Sequence, residues 1–363
     1  MNKLIRGLER LLVFMTICLA FITIGSTTAR AAHDMSVPKA TTPLGMKCEA
    51  LKETDFAGVP DAPTHILSAK LVEASPNKPT HCVVEGNIAP QVGILMWLPA
   101  EKWNGKFLGI GCGGFCGTTA FIALCEDPLR KGYACITTDM GHKGMEGEGA
   151  EWAYNNQQAV IDFAYRSTHV TALAGKAIVE SYYGRKPDKS YFMGCSCGGR
   201  QALVEAQRFP WDFDGIIVGA PGITYPDILL NFALRAQYLY DANGKPLLGA
   251  KDIAFLGKAA VAKCDLNDGL KDGIIGDALS CKFNPRDYVC KAGATTDCLS
   301  REQADAAASF YSEHKSASGD RLGERSYFPG AEGSFLGMAD NVLMKEAFYG
   351  DFFKYMALVP NPG

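Results

Sequence analysis

The residues best equipped for chemistry lie in Ser190-Tyr191-Phe192-Met193-Gly194-Cys195-Ser196-Cys197-Gly198-Gly199-Arg200. A serine in Gly-x-Ser-x-Gly spacing is a candidate acyl-transfer nucleophile when a strand enters the turn and a helix leaves it. Here an aromatic, apolar run precedes the turn, and Gln201 to Gln207 has helical propensity up to Pro210. Gly194 and Gly198 remove the Cβ atoms that would clash where the chain reverses. The helix that starts there aims its free N–H groups at Ser196.

A serine nucleophile needs a general base and an acid to orient it, which in this architecture follow the serine in the order Asp or Glu, then His. Of six histidines only His314 follows Ser196, and it sits in the polar stretch Tyr311-Ser312-Glu313-His314-Lys315-Ser316. His142 follows a strand but precedes the serine, and reads as a structural or pocket residue. The expectation is therefore that the catalytic Asp and His are absent from this chain.

An anionic tetrahedral intermediate needs two N–H donors. One is the amide after the serine, Cys197. The other is expected from the glycine loop in Phe107 to Gly117, FLGIGCGGFCG, at Gly113 or Gly114. The same loop formally matches a dinucleotide fingerprint, but it opens no clear helix and its nearest acids are Glu126 and Asp127. A third reading is that its glycines only permit close packing.

The next constellation is acidic. Cys264 to Asp277 places Asp265, Asp268, Asp272 and Asp277 within 13 residues. Such charges repel unless solvated or bound to a cation. The spacing fails as an EF-hand, because Gly269 and Gly276 stand where ligands are wanted. Carboxylates at 265, 268 and 272 with carbonyls of alternate residues still suit Ca²⁺ by ligand type, against a solvated acidic turn. Cys264 and Cys281 flank this loop, Cys290 and Cys298 bracket another, and closing the first pair would remove about 3 kcal/mol of loop-closure entropy.

These residues must be positioned by the elements around them. Thr64–Leu71, Cys82–Ile88 and Val92–Leu98 alternate as strands, and Phe107–Ile110 is a short buried strand feeding the glycine loop. Tyr133–Thr138 is another strand, residues 157–183 have helical spacing closed by Gly184, and Phe213–Gly219 reads as a further buried strand. That alternation predicts an α/β fold with a parallel sheet covered on both faces. After about residue 223 helical and Cys- and Asp-rich segments replace it, marking a second domain.

Residues 1–31 read as an export signal, with a basic start, an apolar run over Leu11–Gly25 and a small-residue cleavage site at Ala29-Arg30-Ala31. An uncleaved anchor is the rival, but the run falls short of the ~20 residues that span a bilayer. Lys3, Arg6, Arg10 and Arg30 against Glu9 give this segment +3, so the whole-chain −3 leaves −6 for the remainder. That balance argues against nucleic acid or an anionic membrane as partner. Twelve of the 13 cysteines lie beyond the signal, which in an exported chain predicts disulfides. Their spacing does not fit a zinc site.

Jointly, FLGIGCGGFCG, TTDMGH, IDFAYRSTH, YYGRKPDKSYFMGCSCGGRQAL, EAQRFPWDFDGIIVGAP and CDLNDGLKDGII resemble the tannase and feruloyl esterase family, which includes the mono(2-hydroxyethyl) terephthalate hydrolases. The resemblance runs from about Cys48 to Gly330. It implies an α/β-hydrolase core over residues 32–222 and a lid domain at 223–363, inserted after the elbow and carrying a Ca²⁺ site. By motif, Ser196 resembles the nucleophile, and Asp265, Asp268, Leu270, Asp272 and Ile274 the calcium ligands, Leu270 and Ile274 through their carbonyls. Cys48–Cys82, Cys264–Cys281 and Cys290–Cys298 resemble family disulfides. The implied activity is that of a secreted or periplasmic serine carboxylester hydrolase acting on small aryl esters, gallates or hydroxycinnamates.

Two departures qualify the resemblance. The family's His-Cys element is absent, the dipeptide His81-Cys82 being a decoy, and family members run on past residue 363. The C-terminal part of lid and core is thus expected to be missing, with Cys195 unpaired. The alternative function is a truncated, non-catalytic Ca²⁺-binding fragment. Cys197 also stands where the family has a small polar residue; a disulfide between it and Cys112 near the oxyanion loop is one expectation, the pairing of Cys112, Cys116, Cys125, Cys135 and Cys197 being otherwise open.

Overall fold

The computed structural model describes residues 47–144, 149–294, 296–323, 327–333, 346–358 and 360. The export-signal reading of residues 1–31 lies outside them. The chain divides into two compact units, residues 1–143 with 161–223, and residues 144–160 with 224–363.

The first unit is built on seven strands: β1 (Thr64–Val72), β2 (His81–Ile88), β3 (Val92–Pro99), β4 (Lys106–Ile110), β5 (Ala134–Thr138), β6 (Lys189–Cys195) and β7 (Gly215–Gly219). They lie in the order β1-β2-β3-β5-β4-β6-β7. β1, β2 and β3 form an antiparallel meander, and β3 also pairs antiparallel with β5. β5, β4, β6 and β7 are mutually parallel, as short strands separated by helical crossovers must be. Parallel pairing brings the carboxyl ends of β4, β5, β6 and β7 to one edge, where open α/β sheets place their sites.

Alternation along the strands splits the core in two. Ile94, Met96, Phe107, Ile136 and Phe192 face one cluster, which helix α1 (Ser167–Tyr183) joins through Val170, Ala174 and Ile178. Trp97, Leu108, Ile110 and Cys135 face the other, closed by Ile122, Cys125 and Leu129. Gly175 of α1 lets the helix settle on the Phe107 ring, since a Cβ there would stand 2.7 Å from it. The helical stretch read over 157–183 forms, with one π-type turn at Asp162–Arg166, and Gly184 ends it in the left-handed conformation at φ 71°.

One strand departs from expectation. β7 is half exposed rather than buried, with Ile217 63% and Val218 39% accessible. Its apolar run was read as core, but among the described residues it pairs with β6 alone and is an edge of the sheet.

The second unit packs helices α3 (Tyr225–Leu239), α4 (Ala250–Cys264) and α5 (Arg301–Tyr311), with Leu256, Ala260, Leu299, Ala307 and Phe310 among its core residues. A capping box starts α5: Ser300 Oγ accepts from the Gln303 amide at 3.1 Å, and Gln303 Oε1 from the Ser300 amide at 2.9 Å. Disulfides close Cys48–Cys82, Cys264–Cys281 and Cys290–Cys298, the pairs the resemblance implies, and also Cys112–Cys116. Cys195 is disulfide-bonded, so the expectation that it stands unpaired is not met, and the free thiols among the described residues are Cys125, Cys135 and Cys197.

Phe107 is fully buried and stacks on Phe213 with ring centres 6.4 Å apart. Phe107→Ala is expected to lower unfolding free energy by about 3–5 kcal/mol, the cost of a large aromatic cavity. Urea denaturation of the two proteins measures this, and a loss below about 1 kcal/mol would contradict the packing described.

Candidate active site

β6 ends at Cys195 and helix α2 (Cys197–Arg208) starts two residues later. Ser196 makes the whole reversal at φ 59°, ψ −116°, a conformation that costs an L-residue energy and persists only when its surroundings impose it. Three backbone hydrogen bonds do so. The Ser196 amide donates to the Gly219 carbonyl at 3.0 Å, and its carbonyl accepts from the Arg200 and Gly222 amides, both at 3.1 Å. Although Ser196 occupies the N-cap position, its hydroxyl does not cap the helix, so the half-buried side chain is left for other chemistry.

Close backbone approach explains the glycines. A Cβ on Gly194 would run into the carbonyl of Gly198, and one on Gly199 into that of Gly219. Gly111, at the end of β4, lies so near Gly198 that a Cβ would sit 2.6 Å from its Cα. The glycine loop is thereby laid against the elbow. The Gly198 amide donates to the Cys112 carbonyl at 2.7 Å, and the Gly111 amide to that of Met193 at 2.9 Å. Gly114, Cys116 and Gly117 all have positive φ, so the loop turns tightly after Cys112.

Gln201, not singled out in the sequence, holds this arrangement. It is 2% exposed, and its Oε1 accepts from the Cys112 amide at 3.0 Å. Its Nε2 donates to Thr168 Oγ1 at 3.0 Å and contacts the Met140 sulfur at 2.7 Å. One amide thus joins the loop after β4, the turn after β5 and α1 to the elbow helix. Arg200 acts beside it, donating to the carbonyls of Phe163 and Ala164, both at 2.8 Å. A polar pair in the first turn of a buried helix was the available signal.

The turn after β5 is organised by Asp139, which is fully buried. It accepts from the Gly93 amide at 2.8 Å, the Gly141 amide at 2.9 Å and Lys143 Nζ at 2.6 Å. His142 in that turn is buried and meets Phe163 edge-on at 6.1 Å. Burial, with a push from Lys143, lowers its imidazole to about 4 against the favourable carbonyls of Met140 and Phe115. It is a buried, neutral residue at ordinary pH.

The remaining histidines lie elsewhere. His169 Nδ1 pairs with Asp212 at 2.5 Å, as a triad base pairs with its acid, and stacks on Phe209. Phe209 and Asp212 follow the C-terminal end of α2, about 18 Å of helix from Ser196. Glu205 nearby is fully buried, and burial followed by the Asp212 charge pushes its carboxyl up to about 9. This cluster is a structural anchor. His81 bonds the Pro79 carbonyl beside the Cys48–Cys82 disulfide, and His314 lies in a two-residue strand rather than a helical end. No histidine among the described residues is hydrogen-bonded to Ser196.

The expected Cys112–Cys197 disulfide is not formed. Cys116, four residues from Cys112 in the same tight loop, takes that partner, and Cys197 remains a buried thiol. The acidic loop forms a short turn at Asp265–Asp268 bounded by the Cys264–Cys281 bridge. Asp265 Oδ1 accepts from the Asp272 and Gly273 amides at 3.3 and 3.0 Å. Asp268 accepts from Leu270 and Gly276, and Asp272 from Ile274, at 2.9 to 3.0 Å. Among the described residues, three metal-ligating side chains converge only at Cys112, Cys116 and Cys197.

The His142 geometry carries a pH prediction. Its folded value lies below the unfolded 6.5, so the unfolded chain takes up the proton first. Stability is complete above pH 6.5 and falls toward pH 4, by on the order of 3 kcal/mol. Thermal melts between pH 4.5 and 7 should show a shallower acid loss for His142→Gln than for wild type, and equal slopes would contradict the assignment.

A sequence profile for tannase and feruloyl esterase matches residues 77–345. The chain is 34% identical to the mono(2-hydroxyethyl) terephthalate hydrolase of Piscinibacter sakaiensis, covering 71% of this chain and 51% of that one. It is 36% identical to a probable feruloyl esterase of Arthroderma benhamiae, covering 70% and 48%. It thus spans about half the length of these curated relatives. Among solved structures, feruloyl esterase B from Aspergillus oryzae superposes with a TM-score of 0.70 at 26% identity, covering 86% of this chain and 64% of that one. An esterase from the same organism gives 0.75 at 24%, covering 88% and 66%. The sheet order, the elbow and these matches agree: the fold is that of the α/β-hydrolases, and the chain belongs to the tannase and feruloyl esterase family.

Proposed function

We propose that the protein is an exported serine carboxylester hydrolase acting on small aryl esters of the gallate or hydroxycinnamate type. The observation that carries this reading is Ser196, held at φ 59° between strand and helix with its hydroxyl uncommitted. Its Oγ attacks the ester carbonyl, and the oxyanion is held by the Cys197 amide with Gly113 or Gly114 of the adjoining loop. The serine proton passes through a general base to the departing alcohol, a role that no described residue bonded to Ser196 fills. Water then releases the acyl group. Export is supported by the basic-apolar start of the chain and by four disulfides among the described residues, which belong to an oxidising compartment. Among those residues no helix is long and apolar enough to cross a membrane.

The aryl-ester class is supported by the feruloyl esterase and the mono(2-hydroxyethyl) terephthalate hydrolase among the relatives, and by Phe115 of the loop, whose ring meets Phe163 edge-on as that of His142 does. Hydrolysis of methyl ferulate and methyl gallate tests it. Ser196→Ala is expected to lower kcat/KM by at least about 10³-fold. An unchanged rate would remove Ser196 from the mechanism.

A second reading is a calcium-binding chain without turnover. What favours it is that no described histidine is bonded to Ser196. A chain that binds neither ester nor fluorogenic acyl substrate productively, while melting as one cooperative unit, would select it.

For the metal, the proposal is Ca²⁺ held by the carboxylates of Asp265, Asp268 and Asp272 and the carbonyls of Leu270 and Ile274. The donors are all oxygen, as Ca²⁺ requires; the three carboxylates, which cap the backbone of their own loop and do not yet converge, would draw together around the ion. The ion would neutralise them and tie the loop down, with no part in ester cleavage. Bound at about 100 times its dissociation constant it contributes about 2.7 kcal/mol. Chelation should therefore lower Tm by several degrees, reversibly on adding Ca²⁺; an unaltered Tm would count against the site.

A further inference from the structure

The one convergence of soft ligands in the described chain lies under the elbow, where the sulfurs of Cys112, Cys116 and Cys197 all fall within 4.8 Å of one another. Two of them are bonded and the third is a buried thiol, fully enclosed. The Cys197 sulfur stands 3.6 Å from that of Cys116. This is van der Waals contact between a thiol and a disulfide sulfur, and since attack runs in line with the bond that breaks, the Cys197 side chain or the loop must also turn before exchange proceeds.

We propose that these three cysteines form a thiol–disulfide exchange site that alternates between the Cys112–Cys116 and Cys116–Cys197 pairings. In the forward step the Cys197 thiolate attacks the Cys116 sulfur. A Cys116–Cys197 bond forms, the Cys112–Cys116 bond breaks, and its electron pair leaves on the Cys112 sulfur. The proton given up by Cys197 ends on Cys112. One thiol and one disulfide are present before and after, so no oxidant or reductant is consumed.

Both ends of the step have partners in place. The attacking sulfur sits in the first turn of α2, with the Arg200 guanidinium 3.5 Å away. The released Cys112 thiol already lies 3.4 Å from the Gln201 Oε1, an acceptor for its S–H. The first pairing is local to the glycine loop, whereas the second staples that loop to the residue after the serine. A disulfide needs about 2 Å between sulfurs, so the loop or the elbow must shift by about 1.5 Å. The pairing equilibrium is independent of the proposed ester chemistry. Only its consequence, a displaced oxyanion donor, rests on that reading.

The test is non-reducing peptide mapping of the full chain after acid quenching and alkylation under denaturing conditions. Incubation at pH 8.5 before the quench is expected to yield a cross-linked peptide joining Cys116 to Cys197, with Cys112 alkylated, and less of it at pH 6. Cys112→Ser, equilibrated with oxidised glutathione to take up the two electrons, should carry that cross-link to near completion, and Cys197→Ser should abolish it while keeping Cys112–Cys116. Wild-type protein in which Cys197 alone is alkylated at every pH would overturn the proposal. So would a Cys112→Ser variant that melts like wild type yet, after equilibration with oxidised glutathione, has both Cys116 and Cys197 alkylated. Should that variant fail to fold, the wild-type map decides alone. None of these readouts uses ester hydrolysis, so loss of the catalytic reading leaves them unaffected.

Discussion

Backbone packed directly on backbone is the constraint on which the site depends. Gly111, Gly194 and Gly198 approach so closely that a single methyl group at any of them meets main-chain atoms. That contact sets the glycine loop beside the elbow, and the 2.7 Å bond from the Gly198 amide to the Cys112 carbonyl fixes its register. The strain at Ser196 is affordable because hydrogen bonds to Gly219, Gly222 and Arg200 hold the turn from both sides. A looser contact would let the serine relax and bury its hydroxyl as an ordinary helix cap.

The parallel half of the sheet makes this possible. β4, β5 and β6 pair in register, so the loop after β4, the turn after β5 and the elbow after β6 leave the sheet at one level. Gln201 then ties all three together from inside. Removing it would leave buried donors and acceptors unsatisfied, at about 1–3 kcal/mol each. Buried polar residues such as Gln201 and Asp139 thus act on the site by position.

Much of this was legible in the sequence because glycine spacing and strand alternation are local. The elbow, the strands and the C-capped helix at Gly184 were read from neighbours in the chain. What escaped depends on distant pairing. Nothing near Gln201 says that its amide reaches Cys112, 89 positions away. The apolar run of β7 promised a buried strand, yet burial depends on what lies across it, and among the described residues β7 is an edge. Cysteine spacing left the Cys112 partner open between a near and a far thiol, and the tight loop chose the near one. His169 shows the converse hazard: paired with Asp212 it has the chemistry of a catalytic base, and only the length of α2 removes it from the serine.

The central claim is that Ser196 is a nucleophile displayed by a strained turn. It is tested most directly by treating the protein with a fluorophosphonate and locating the adduct by peptide mass spectrometry. A phosphonyl group on Ser196, absent from Ser196→Ala and from heat-unfolded protein, is the predicted result. Equal labelling of wild type and Ser196→Ala, or an adduct confined to another residue, would contradict it.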